Sequence, residues 1–191
     1  MQVICDADKR IVGTSIGHAG STADSVVYRQ MPIYETPWKY LLPGEYLLAD
    51  SAYPLSKQCI TPYKAPAANI QENTEFNYCL AKSRVRNEHC IGILKSRWGS
   101  LQEMRTLICA KEDMTALIRW VKGCCVLHNM LAHLRDSWDE VFTSKQPLQE
   151  DEELQNEAQS DRDAEVFRES LKRTTININY ERNVLPIPEI N

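Results

Sequence analysis

The sequence lacks several features that define common protein classes. No run of residues approaches the roughly 18 apolar positions that a membrane span needs. The N-terminus also lacks the basic and then apolar layout of a signal peptide. The seven cysteines include no C-x-x-C pair, which argues against a zinc ribbon or a thioredoxin-like motif. Their odd number and scattered positions predict free, mostly buried thiols in a reducing compartment, so we expect a cytosolic or nuclear location.

The net charge of −4 is distributed unevenly along the 191 residues. Residues 1–138 carry 16 basic and 13 acidic side chains, whereas residues 139–165 carry 2 basic and 10 acidic ones. The pI of 5.6 therefore reflects an acidic tail and does not exclude an anionic partner for the rest of the chain. This pattern predicts a body at 1–138, an acidic mobile linker at 139–161 and a C-terminal helix and tail at 162–191.

Hydrophobic periodicity predicts a mixed order of short strands and longer helices. We expect a hairpin, a loop that leads into a short helix capped by Ser21 or Thr22, two further short strands, two long helices and one amphipathic helix. The expected strands are 2–5, 11–16, the segment that ends at Asp50, and 59–63; the expected helices are about 77–98, 112–136 and 162–173.

Two carboxylates stand at positions that suit a metal site. Asp50 directly follows a short apolar strand, and Glu88 lies 38 residues later on a predicted helix (88 − 50 = 38). Mg²⁺ and Mn²⁺ prefer such oxygen ligands. Taken alone the spacing is weak evidence, because most aspartates after strands are turn residues and most helical glutamates are solvated.

The short sequence motifs around these carboxylates resemble those of a known family. They read GSTADS at 20–25, LLADSAYP at 47–54, ITPY at 60–63, RVRNEHCIGILKSRW at 84–98 and CVLHN at 125–129. In this order and spacing, they resemble the DDE superfamily endonuclease domain of Harbinger-type transposases and their domesticated relatives. The resemblance extends over roughly residues 2–135.

The resemblance implies an α/β, RNase H-like catalytic core that holds Mg²⁺ or Mn²⁺ with an Asp-Asp-Glu triad. Asp50 and Glu88 match the second and third members of that triad, as catalytic residues and metal ligands. The family places its first aspartate on the first strand, and we expect this chain to begin at the second strand and so to lack it. Asp24 stays open as a ligand or a capping residue, whereas Asp6 is expected to be a turn residue and a poor replacement for the missing ligand.

Other polar residues have two interpretations each. Lys82, Arg84, Arg86, Lys95 and Arg97 surround Glu88 in the sequence. They predict either contact with DNA phosphates or a solvated helix face on which Arg84 and Glu88 form an i,i+4 pair. His128 lies within an apolar helix, where a buried histidine satisfied by a neighbour is favoured over a general acid or a metal ligand.

The resemblance implies a metal-dependent DNA endonuclease domain, incomplete because its first catalytic aspartate is absent. The alternative is a catalytically inactive, domesticated protein that binds DNA or a Myb-like DNA-binding partner. A decayed element without function is the third hypothesis. The nucleus is the location that the resemblance implies.

Overall fold

A computed structural model describes residues 1–102, 104, 106–134, 136 and 161–185 of this protein. These residues form two compact units. The first lies within Met1–Thr22 and Val85–Glu150, and the second lies within Ala23–Arg84 and Asp151–Asn191. Across the described ranges, no helix is both long enough and apolar enough to cross a membrane.

Nine regular elements, apart from short 3₁₀ turns, follow one another in the described residues. They are β1 (Gln2–Cys5), β2 (Ile11–Ser15), α1 (Asp24–Arg29), α2 (Pro32–Glu35), β3 (Leu47–Leu48), β4 (Cys59–Ile60), α3 (Gln71–Arg97), α4 (Lys111–His133) and α5 (Arg162–Glu181). The mixed α/β class predicted from the sequence is therefore confirmed.

The first unit is built on the antiparallel hairpin β1–β2. Val3 pairs with Thr14 and Ile4 with Gly13, as the two apolar runs predict. Asp6 closes the turn between the strands, because its Oδ1 accepts hydrogen bonds from the N–H groups of Asp8 and Arg10, both at 2.9 Å. Asp6 is therefore a turn residue, as expected.

Side chains from α3 and α4 hold the backbone of this hairpin. The carbonyl of Lys9, which has a left-handed φ of 62°, accepts from His128 Nε2 at 2.9 Å and from Cys90 Sγ at 3.2 Å. Asn129 accepts from the N–H of Ile11 at 2.8 Å and donates to its carbonyl at 2.7 Å. Such pairing completes the hydrogen bonding of partly buried backbone groups. It also confirms that the Nε2 of buried His128 is satisfied by a neighbour, whereas its Nδ1 has no partner among the described residues.

An apolar core joins the hairpin to the two helices of the first unit. Its buried members are Val3, Ile11, Cys90, Leu94, Val121, Cys124 and Cys125. Ile91 and Trp98 pack against this cluster. All seven cysteines are free and five of them are buried, as the sequence predicts.

The second unit has a smaller core that α5 covers. Ile60, Phe76 and Leu80 are buried, and Phe167 and Leu171 of α5 pack against them. Polar contacts also fix α5 around the ring of Tyr63. The Arg168 guanidinium lies 3.9 Å from the centre of that ring, and the Tyr63 hydroxyl donates to Glu169 at 2.9 Å.

Some boundaries differ from the predicted ones. α3 begins at Gln71 rather than near 77, and α5 extends to Glu181. The N-cap of α1 is Ala23, which makes no side-chain capping bond, so the expected cap at Ser21 or Thr22 is wrong. The acidic linker predicted at 139–161 lies, but for Asp161, outside the described residues, and the three-region division stays a prediction.

The pH dependence of stability should report the burial of His128. Burial lowers the pKa of His128 from 6.5, and the hydrogen bond to Lys9 opposes that shift. Because the folded state then binds fewer protons than the unfolded state, the free energy of unfolding should fall as the pH drops below about 6.5. Urea titrations at several pH values give the slope of the free energy of unfolding against pH. His128→Gln should reduce this slope, whereas the exposed control His133→Gln should leave it unchanged. An unchanged slope in His128→Gln would contradict the assignment.

The buried ammonium of Lys172 should stabilise the contact between α5 and α3. Its Nζ contacts Asn73 Oδ1 at 2.9 Å and Glu169 at 2.8 Å, and the side chain is only 6% exposed. We expect Lys172→Met to lower the free energy of unfolding by about 2 kcal/mol, because the buried Asn73 Oδ1 loses its donor while the partly exposed Glu169 is rehydrated. Arg173→Met, the adjacent exposed change, should cost under about 0.5 kcal/mol in the same urea titration.

Candidate functional site

Asp50 is placed at the end of a short parallel pair of strands. Leu47 pairs with Cys59 and Leu48 with Ile60, and the N–H of Ala49 then donates to the Ile60 carbonyl at 2.9 Å. Ala49, Cys59 and Ile60 are buried. The last hydrogen bond of the pair therefore fixes the backbone directly before the carboxylate.

The loop after Asp50 folds back on the aspartate. Asp50 Oδ1 accepts from the N–H of Ala52 at 2.9 Å, which is the pattern of an Asx turn. The ring of Tyr53 makes an edge-to-face contact with buried Tyr28, with 5.5 Å between ring centres. This ring contact attaches the loop to a buried side chain of α1.

The second carboxylate oxygen of Asp50 faces a guanidinium. Arg84 Nη2 lies 3.4 Å from Asp50 Oδ2, and the two side chains are 30% and 39% exposed. Arg84 therefore pairs with an aspartate 34 residues earlier, in place of the i,i+4 partner Glu88 considered from the sequence. A pair this long and this exposed contributes little to stability, so Asp50 can exchange its partner at small cost.

The buried groups beneath Asp50 are neutral. Burial raises the pKa of the Cys59 thiol to about 12, and the charge of Asp50 adds to that rise against the hydrogen bond from Tyr28. Burial likewise raises the pKa of Tyr28. Neither group supplies a nucleophile at neutral pH, since a thiol reacts as the thiolate.

Glu88 lies on α3 within the first unit. Its side chain is exposed, whereas Cys90 and Leu94 of the same helix are buried in the core. The core packing thus fixes the helix from which Glu88 projects. Asp50 belongs to the second unit.

Gly92, one turn after Glu88, was not singled out from the sequence. It is exposed, and no atom lies within 4 Å of the position that a Cβ would take. Packing among the described residues therefore does not require glycine here, although glycine inside a helix costs about 0.5–1 kcal/mol relative to alanine. A helical glycine without a packing reason is one signal that could have marked this surface.

The basic residues around Glu88 have different environments. Lys82, Arg86 and Lys95 are exposed. The Arg97 side chain is only 5% exposed, and its Nη2 contacts the carboxylate of Asp136 at 3.1 Å and the carbonyl at 3.2 Å. Arg97 is thus engaged within the first unit, which argues against the phosphate contact expected for it.

The remaining acidic candidates have structural positions. Asp24 is exposed in the first turn of α1, where a negative charge is favourable. Asp6 accepts hydrogen bonds in the hairpin turn, as described above. Within the ranges that the structure describes, no three His, Cys, Asp or Glu side chains form a group that could hold a metal ion.

Comparison with known proteins places these residues in a family. "Protein ALP1-like" of Arabidopsis thaliana is 26% identical, over 90% of this chain and 44% of the relative. The chain therefore spans less than half the length of that curated relative. No solved structure matches the chain. The family model described as DDE superfamily endonuclease matches residues 1–129, which include both Asp50 and Glu88, and the chain therefore belongs to the DDE superfamily endonuclease family.

Proposed function

We propose that this chain is a Harbinger-type, transposase-derived domain with an RNase H-like core that hydrolyses DNA phosphodiesters and supports strand transfer. Asp50 and Glu88 are its metal ligands and Asp50 is the better defined of the two. The observation that carries the proposal is the half-exposed Asp50 carboxylate at the end of a hydrogen-bonded strand pair, within a family match that includes both acidic words.

The chemistry of Asp50 fits a hard divalent cation. An ionised carboxylate has about four acceptor positions, and the structure shows one N–H donor at Oδ1 and one distant guanidinium at Oδ2. Mg²⁺ commonly binds one or two carboxylates and completes its shell with water and substrate phosphates. Bound Mg²⁺ or Mn²⁺ would lower the pKa of the attacking water and stabilise the leaving oxygen. The chain's own contribution is to hold Asp50 and Glu88 as ligands and to bind the DNA backbone.

The exposed cations of α3 bind that backbone. Arg86 and Lys95 are exposed on the helix that carries Glu88, and both suit phosphate oxygens. Arg84 has a double role. It pairs with Asp50 at 3.4 Å, and with a cation bound at Asp50 it would be available to contact a phosphate. Gly92 allows close approach of a DNA strand to the helix backbone.

DNA is the partner that this chemistry requires, and a nuclear location follows from a DNA substrate. A Myb-like DNA-binding protein is a second proposed partner, supported by the Harbinger-type resemblance.

A catalytically inactive DNA-binding module is the second candidate function. The ion pair between Asp50 and Arg84 favours it, because a carboxylate neutralised by a guanidinium does not repel DNA phosphates. The exposed cations of α3 would then bind DNA without a metal.

The substitution Asp50→Asn, which removes the charge but keeps the shape of the side chain, tests the proposed nuclease activity. Asn at position 50 keeps an acceptor for Ala52 N–H but is a poor ligand for Mg²⁺ or Mn²⁺. We expect Asp50→Asn and Glu88→Gln each to lower Mn²⁺-dependent nicking of supercoiled plasmid by about 100-fold or more. The control Asp8→Asn, at a 79% exposed side chain, should nick like the wild type. Equal activity in Asp50→Asn would refute the ligand assignment, and an inactive wild type would favour the binding module.

The salt dependence of DNA binding tests the phosphate contacts. Removing one phosphate-binding cation should reduce the slope of log K against log salt by about 1, so Arg86→Ala and Lys95→Ala should each do so in a fluorescence anisotropy titration. Arg97→Ala should leave the slope unchanged because its guanidinium binds Asp136. A reduced slope in Arg97→Ala alone would contradict this division of roles.

A further inference from the structure

Two free thiols of the first unit meet beside the hairpin turn. Cys5 is the last residue of β1, where it pairs with Ile11 beyond a register shift. Cys90 lies on α3, and its Sγ contacts the carbonyl of Lys9 in the same turn at 3.2 Å. Cys5 packs against the buried cluster that contains Cys90, and the two thiols share a hydrogen bond. Two cysteines that lie 85 residues apart in the sequence are therefore in contact through their side chains (90 − 5 = 85).

The core holds the Cys90 thiol in place, whereas Cys5 has more freedom. Cys90 is 0% exposed, and its Sγ also lies 3.8 Å from Nε2 of His128. Cys5 is only half-buried. Since a disulfide joins sulfur atoms about 2 Å apart, two thiols that already share a hydrogen bond need only a small side-chain movement to form one.

The two thiols have opposite acid–base properties. The hydrogen bond from Cys90 lowers the pKa of Cys5; burial and the charge of Asp6 oppose this effect, and the guanidinium of Arg86 adds to it. The same hydrogen bond raises the pKa of Cys90, and burial raises it further. Because the thiolate is the nucleophile, Cys5 is the thiol that reacts first. An accessible, activated thiol beside a second thiol is the arrangement of a redox-sensing cysteine pair.

Burial makes four other cysteines poor nucleophiles. It raises the pKa of Cys59, Cys79, Cys124 and Cys125, so these thiols stay protonated at neutral pH. Cys5 differs from them because it is both accessible and activated. A transient disulfide of this kind is compatible with a reducing compartment, in which disulfides are usually redox-sensing or catalytic.

We propose that Cys5 and Cys90 are a redox-sensitive pair, a modification site at which hydrogen peroxide forms a reversible disulfide that links β1 to α3. The disulfide depends on the first unit alone and does not require the nuclease function.

The reaction needs one peroxide for the two thiols. The Cys5 thiolate attacks one oxygen of hydrogen peroxide, the O–O bond breaks, and the departing hydroxide takes a proton from solvent. The sulfur of Cys90 then attacks the sulfenic sulfur of Cys5, the S–O bond breaks, and the second hydroxide leaves as water with the proton of Cys90. The two thiols thus lose two electrons to the peroxide and yield one disulfide and two waters. Exchange with an added dithiol reduces the bond again.

Peptide mapping of the full chain tests the bond directly. After treatment with hydrogen peroxide and alkylation of the remaining thiols, trypsin should release peptide 1–9 joined to peptide 87–95, each of which contains one cysteine. Dithiothreitol should separate the two peptides. Cys5→Ser should abolish the linked product, whereas Cys109→Ser, at an exposed cysteine, should keep it. A wild-type chain without the linked peptide, or with Cys90 joined to another cysteine, would overturn the proposal.

The stability of the oxidised chain tests whether the fold already positions the two thiols. A cross-link that fits a native contact and closes a long loop stabilises the folded state. In a Cys109→Ser background, the oxidised chain should therefore unfold at a higher urea concentration than the same sample after dithiothreitol. With Cys5→Ser added, the unfolding midpoint should be the same with and without peroxide. An equal or lower midpoint in the oxidised chain that carries Cys5 would overturn the proposed geometry.

Discussion

The uninterrupted helix α3 is the constraint on which both units depend. Its first half buries Phe76 in the core of the second unit, and its second half buries Leu94 in the core of the first. Because the 27 residues form one helix, Arg84 and Glu88 lie one turn apart along the same backbone. Arg84, which pairs with Asp50, ends the part of α3 that belongs to the second unit, and Glu88 follows in the part that belongs to the first.

Hydrogen bonds from polar side chains stabilise the two small sheets in addition to the burial of apolar area. A two-stranded sheet is marginal in water, and each unit has only such a sheet in its described residues. His128 and Asn129 supply the hairpin with partners for its carbonyl and N–H groups. In the second unit, Arg168 donates to the carbonyls of Thr61 and Pro62 beyond β4. These contacts come from helices distant in sequence, so each sheet is stabilised only when those helices are folded against it.

The sequence predicts those features that depend on local pattern. The hairpin, the strand before Asp50 and the buried histidine follow from alternation, apolar runs and a polar group in an apolar helix. The early start of α3 could not be predicted, because buried Glu75 is satisfied by the hydroxyl of Tyr180, a partner 105 residues away. The pairs Arg84–Asp50 and Arg97–Asp136 could not be predicted either, because their partners are also distant in the sequence. Charge clusters in a sequence do not show which cations are engaged.

The central claim is that Asp50 and Glu88 are divalent-metal ligands of a DDE superfamily endonuclease domain. The most direct test is an anomalous difference map from crystals grown with DNA and Mn²⁺. The account predicts a manganese peak about 2 Å from an oxygen of Asp50, with Glu88 in the same coordination shell and Arg84 turned away from Asp50. A map in which Arg84 still pairs with Asp50, and manganese is absent or bound elsewhere, would contradict it.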